Sequence, residues 1–153
     1  MKAISSTPLE DARGELTRQW LAFASDDLQA AERASHPPPL PSIVAFHAQQ
    51  ATEKAIKGFL IWNNQPFRKT HVLVELLDQC TELDLEFGEL VEAAETLTPY
   101  AVMTRYPDDL IVADVADAML AGKLAEQIVS FVRARLPSIA LFSADHSGDD
   151  ADV

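Results

Sequence analysis

Residues 36–41 read His36-Pro37-Pro38-Pro39-Leu40-Pro41. Proline lacks an amide proton and restricts the residue before it, so this segment cannot be helical and forms a stiff, extended connector. It separates two long amphipathic stretches. Before it, Leu16, Trp20, Phe23, Ala24, Leu28 and Ala31 recur at steps of three and four, the stripe of a helix over residues 16–34. After it, Ser42 is a good N-cap for a second helix over residues 43–62, which Asn63-Asn64-Gln65-Pro66 ends.

The rest of the chain repeats this grammar. Glycines number only five, and no stretch alternates with a period of two, so helices are expected throughout. Thr70 caps a short third helix over residues 71–80 with Val74 and Leu77 inward. A fourth covers residues 83–97 with Phe87, Leu90, Val91 and Ala94 inward. Thr98-Pro99 suits an N-cap followed by proline, and a short helical turn then carries Tyr100 to Arg105. Tyr106 precedes Pro107 and is pushed toward an extended conformation. Asp114 and Asp117 favour the start of a last helix that Pro137 stops. Short connections between long helices predict an all-α, up-and-down bundle of four to five helices. The expected organisation is a flexible N-terminus over residues 1–11, one helical domain over 12–137 and an acidic, disordered tail over 138–153.

Composition excludes several classes. Hydrophobic residues make 48% and charged residues 24%, as in an ordinary globular domain. The 24 acids against 12 bases give a net charge of −12, which argues against a nucleic-acid binder that works by bulk charge, so no DNA partner is expected, and leaves room for a local basic patch. Cys80 stands alone, so neither an internal disulfide nor a cysteine-built zinc site is expected. His36, His47, His71 and His146 lack metal-ligand spacing, and no glycine-rich phosphate loop is present, so no metal or cofactor is expected. No apolar run approaches the roughly 20 residues of a membrane span, and the first residues hold no apolar signal core. The expectation is a cytoplasmic protein.

Charge is unevenly placed. Lys54, Lys57, Arg68 and Lys69 fall close together, whereas residues 70–104 hold no Lys or Arg and eight acids. At 100° per residue, His47, Gln50, Lys54 and Lys57 share one arc of the second helix, opposite Val44, Ala48, Ala51, Ala55 and Phe59. Such a row either faces water or meets a polyanion. Asp27 falls inside the apolar stripe of the first helix. A carboxylate there costs several kcal/mol unless paired, so it requires a cation or hydrogen-bond donors. Lys54, Lys57, Arg105, His47 and Tyr100 are the candidates. The segment Tyr100-Ala101-Val102-Met103-Thr104-Arg105-Tyr106-Pro107 sets a guanidinium between phenols, either as a structural tie or as a phosphate contact.

Asp27-Leu28-x-x-Ala31, then Phe46-His47-Ala48-Gln49-Gln50-Ala51-x-Glu53-Lys54-x-x-Lys57, then Thr70-His71-x-Leu73-x-x-Leu76, and Tyr100 with Arg105-Tyr106-Pro107 together resemble the HEPN domain (higher eukaryotes and prokaryotes nucleotide-binding). The resemblance covers residues 12–137. It implies a helical bundle that assembles as a homodimer, often beside a minimal nucleotidyltransferase and frequently as a toxin–antitoxin pair. It also implies, for many members, a metal-independent ribonuclease built on an Arg-x(4–6)-His motif. This chain departs from that motif: Arg105 is followed by Tyr106-Pro107-Asp108-Asp109-Leu110-Ile111. The implied role is therefore binding of a nucleotide, an RNA or a nucleotidyltransferase. Lys54, Lys57, His71, Tyr100, Arg105 and Tyr106 would line the ligand groove, and Asp27 would orient a cation. The alternative is a ribonuclease toxin that brings Arg105 together with His71 or His47 in space. A third reading is an interaction protein that docks a basic partner through the acidic third and fourth helices.

Overall fold

The computed structural model describes residues 5–102 and 112–143. Among these are six α-helices and no strand: α1 (Pro8–Ser35), α2 (Pro41–Trp62), α3 (Leu73–Thr81), α4 (Val91–Leu97), α5 (Val115–Arg133) and α6 (Ser138–Leu141). Two 3-10 turns, Leu85–Leu90 and Thr98–Ala101, flank α4. No helix is long and apolar enough to cross a membrane among the described residues.

Helix α1 starts earlier than its apolar stripe suggests, so residues 8–11, expected in a flexible terminus, are its first turn. Thr7 forms a capping box with Glu10: its Oγ1 accepts from the Glu10 N–H at 3.2 Å, and its own N–H donates to Glu10 Oε2 at 2.8 Å. Pro8 at the first helical position needs no partner for a missing donor. Likewise α2 begins at Pro41, with Leu40 rather than Ser42 in the cap position. The expected fourth helix is split by the turn Leu85–Leu90, which Asp84 opens by accepting from the Glu86 N–H at 3.0 Å.

Helices α1 and α2 run antiparallel. Arg13 reaches the Trp62 carbonyl at one end, and the Leu40 N–H bonds to Ala34 O at the other. Small residues let them close: Ala24 and Ala31 on α1 and Ala48, Ala51 and Ala55 on α2 are buried, and Gly58 lies against Trp20 and Leu21. Within α1 the inward stripe is Gly14, Thr17, Leu21, Ala24, Asp27 and Ala31. Leu16 and Phe23, expected inward, face outward instead. Helix α2 is nearly central, with α1, α3 and α5 packed around it. Phe59, Phe87 and Phe131 pack in series through the core, the first pair tilted and the second edge to face, with centroids 4.5 and 5.1 Å apart. A capping box between Asp114 and Asp117 opens α5, as their spacing predicts. Helix α6 lies within the expected tail, yet it docks on α1. Arg18 donates to the carbonyls of Ile139 and Phe142, and Gly14 leaves space for the Ile139 carbonyl.

Candidate functional site

Along the seam of α1 and α2, two carboxylates gather the basic side chains. The first is Asp27, buried as its place in the stripe requires. Its Oδ1 lies 2.8 Å from His47 Nδ1, and its Oδ2 accepts from Lys54 Nζ at 2.5 Å. Of the five candidate partners named from sequence, His47 and Lys54 supply this pairing. The Lys54 ammonium also lies 5.8 Å from the centroid of the Phe23 ring.

The second carboxylate is Glu53, one turn before Lys57 on α2. It accepts from Lys57 Nζ at 2.7 Å and from Gln49 Nε2 at 3.1 Å, and it lies 3.1 Å from His71 Nδ1. Burial works to raise the Glu53 pKa, but hydrogen bonds from Lys57, His71 and Gln49 outweigh it and hold the group below its ordinary value. A carboxylate only accepts, so His71 Nδ1 is the donor toward Glu53. That ring is 68% exposed at its side chain. Lys57 differs from the free point charge its helical arc suggests. It is buried, because Trp20 and Phe67 fold over it with ring centroids 5.9 and 5.0 Å from Nζ.

Beyond Glu53 the chain turns outward. Arg68, Lys69 and His71 stand exposed on the loop between α2 and α3, and neither Arg68 nor Lys69 pairs with a carboxylate among the described residues. The loop is fixed from several sides. Gln79 accepts from the Arg68 N–H at 3.1 Å and donates to Pro66 O at 2.9 Å. The Val72 N–H donates to Thr70 Oγ1 at 3.0 Å, and Gln49 Nε2 donates to His71 O at 3.3 Å. Phe67 meets Trp20 edge to face at 5.6 Å.

The other expected site residues are placed differently. Tyr100 lies in the turn Thr98–Ala101, half-buried on the core. Its phenol pKa is raised by burial and then by the charges of Asp117 and Asp114, an acidic surrounding at the start of α5. Arg105 and Tyr106 lie outside the described residues. Gln49 and Glu53 carry the second network although sequence reasoning assigned them no role. The Glu53–Lys57 spacing of four on one helix was the available signal. Cys80 is buried in the core, with its thiol pushed up to about 12 by burial. No group of three or more His, Cys, Asp or Glu side chains fit to hold a metal ion occurs among the described residues.

Similarity to known proteins agrees with this architecture. The crystal structure of TT1696 from Thermus thermophilus superposes with a TM-score of 0.70 at 32% identity, covering 78% of this chain and 98% of that one. That of ST0689, an archaeal HEPN homologue, shares the fold with a TM-score of 0.64 at 24% identity, covering 78% and 96%. The comparison with curated proteins gives no match. The family model of the HEPN domain matches residues 17–135, a span that begins in α1 and ends just past α5 and so holds both carboxylate clusters. The chain belongs to the HEPN domain family.

Proposed function

We propose that this chain is a binding module for a phosphate-bearing ligand, either a free nucleotide or RNA end or one presented by a minimal nucleotidyltransferase partner. The observation that carries the reading is the lip formed by Arg68, Lys69 and His71. Its imidazole is held in place by buried Glu53, and its two cations pair with no carboxylate among the described residues. The guanidinium offers a forked contact to phosphate oxygens and the ammonium a point charge. Lys54 and Lys57 act behind this lip, where each offsets one buried carboxylate. Arg105 and Tyr106 enter only through the sequence. Homodimerisation and a toxin–antitoxin setting belong to the same proposal and rest on the family.

Titration of a fluorescent single-stranded RNA and of a labelled nucleotide, followed by anisotropy, tests the reading. The double variant Arg68→Ala/Lys69→Ala is expected to bind RNA more weakly, and the slope of log K against log salt is expected to fall by about 1.4 for two lost contacts. Arg33→Ala, in the last turn of α1, is expected to bind as wild type does. Equal affinity and equal slope in wild type and double variant would sink the proposal.

A second reading, a metal-independent ribonuclease, is favoured by the same His71, an exposed imidazole oriented by a buried carboxylate, the arrangement of a proton-transfer group. RNA cleavage in EDTA that His71→Ala abolishes while binding persists would support it. Absence of cleavage by wild type would remove it.

A further inference from the structure

Phe23 is 57% exposed on the outward side of α1, although it occupies a position that an amphipathic pattern would bury. It is framed. Lys54 Nζ lies 5.8 Å from its ring centroid, and that ammonium is pinned by Asp27, whose other oxygen holds His47. One turn further along α2 the same pairing recurs inside the fold, where Lys57 sits against the rings of Trp20 and Phe67. The seam between α1 and α2 thus alternates aromatic rings and cations, and it leads toward the lip of Arg68, Lys69 and His71.

We infer that Phe23 is a stacking platform for a nucleobase of the phosphate-bearing ligand, with Lys54 and His47 bordering the base. The inference rests on the binding reading above and adds to it a second contact point. Charge decides which part of a ligand fits where. Asp26 is exposed three residues after Phe23, on the same side of α1, and disfavours a phosphate at the ring. The lip carries exposed cations and suits the phosphate. A flat, uncharged base on Phe23 with its phosphate directed along the seam satisfies both ends. Stacking on an aromatic side chain is tolerant of sequence, because every base presents a π-face.

The test uses two pairs of probes with the full chain: ADP against pyrophosphate, and a five-nucleotide single-stranded RNA against its abasic counterpart. Wild type is expected to bind the base-bearing member about tenfold more tightly in at least one pair. A preference for RNA alone points to a strand as ligand; a preference for ADP as well points to a nucleotide unit. Phe23→Ala and Phe23→Leu are expected to lower base-bearing affinity to that of the base-free probe and to leave the latter unchanged. Phe23→Trp is expected to keep the preference. A preference that survives in Phe23→Ala overturns the inference. So does equal weakening of both members of a pair with an unchanged thermal midpoint. Wild type binding base-free and base-bearing probes equally overturns this inference alone and leaves the phosphate reading standing. Binding of neither overturns both.

Discussion

Replacing Glu53 by glutamine removes the charge on which the second cluster is built, at nearly constant volume. Three donors then lose their carboxylate: Lys57 Nζ, Gln49 Nε2 and His71 Nδ1. Their worth is unequal. His71 is mostly exposed, so its share is that of a surface pair, about 0.5 kcal/mol. Gln49 keeps an amide oxygen as acceptor and loses roughly another 0.5–1 kcal/mol. Lys57 dominates, since its ammonium is buried between Trp20 and Phe67 and is left without a counter-charge. Stranding one member of a buried pair costs about 3–5 kcal/mol, and the amide oxygen of glutamine recovers part of it. The expected total is about 3 kcal/mol. In urea, with a slope of about 2 kcal/mol/M for a domain of this size, the midpoint is expected to fall by about 1.5 M. Lys57→Met in the Glu53→Gln background removes the stranded ammonium, and the double variant is expected to regain about 1.5 kcal/mol over Glu53→Gln alone. A cost below about 1 kcal/mol for Glu53→Gln, or strict additivity of the two changes within about 0.5 kcal/mol, would refute the view that this pair is a coupled, desolvated unit.

Acidity and two glycines give further tests. Glu53 is held below its ordinary value of 4.5, so its stabilisation is complete above that pH and fades as pH falls through its folded value. The difference in urea midpoint between wild type and Glu53→Gln is therefore expected to be largest near pH 7 and to shrink steadily below pH 4.5. A difference that grows on acidification contradicts the sign. Gly14→Ala places a Cβ 2.8 Å from the Ile139 carbonyl oxygen, a backbone atom. Despite the better helix former, α6 is forced off α1, and a loss of about 1 kcal/mol, or 2–4 °C in calorimetry, is expected. Gly122→Ala meets nothing within 4 Å and is expected to stabilise by about 0.5–1 kcal/mol in the same assay.

The bundle was legible because its punctuation is chemical. Pro37 stops α1, Asn63 and Pro66 lie where α2 ends, and Asp114 with Asp117 caps α5; each acts through local backbone chemistry that sequence displays. Boundaries set by contact were not. Nothing in Ser138-Ile139-Ala140-Leu141 announces a helix until Gly14 and Arg18 meet it from residues far away in sequence. The face of α1 was ambiguous for a related reason. Leu16 and Phe23 satisfy helical spacing as well as Leu21 and Ala24 do, and only the close approach of α2 selects the small residues. Within the site, Asp27 was readable, since a carboxylate in an apolar stripe demands a cation. The burial of Lys57 was not, because it depends on Trp20 and Phe67 arriving from either side in sequence.

The proposed phosphate site on a chain of charge −12 is less paradoxical once charges are placed rather than summed. Exposed charges act over a Debye length of about 8 Å at physiological salt, so a ligand at contact distance responds mainly to its neighbours. At the lip those neighbours are Arg68 and Lys69. The acid nearest His71 is Glu53, which Lys57 offsets, and further along the seam Lys54 offsets Asp27. The acids Glu75, Asp78, Glu82, Glu89, Glu92 and Glu95, which pair with no cation among the described residues, lie on α3, α4 and the segment between them. On the proposed binding reading, internal pairing of Lys54 and Lys57 would serve recognition indirectly. It would offset two buried carboxylates that otherwise repel phosphate, and it fixes the rings and imidazoles beside which a ligand would settle.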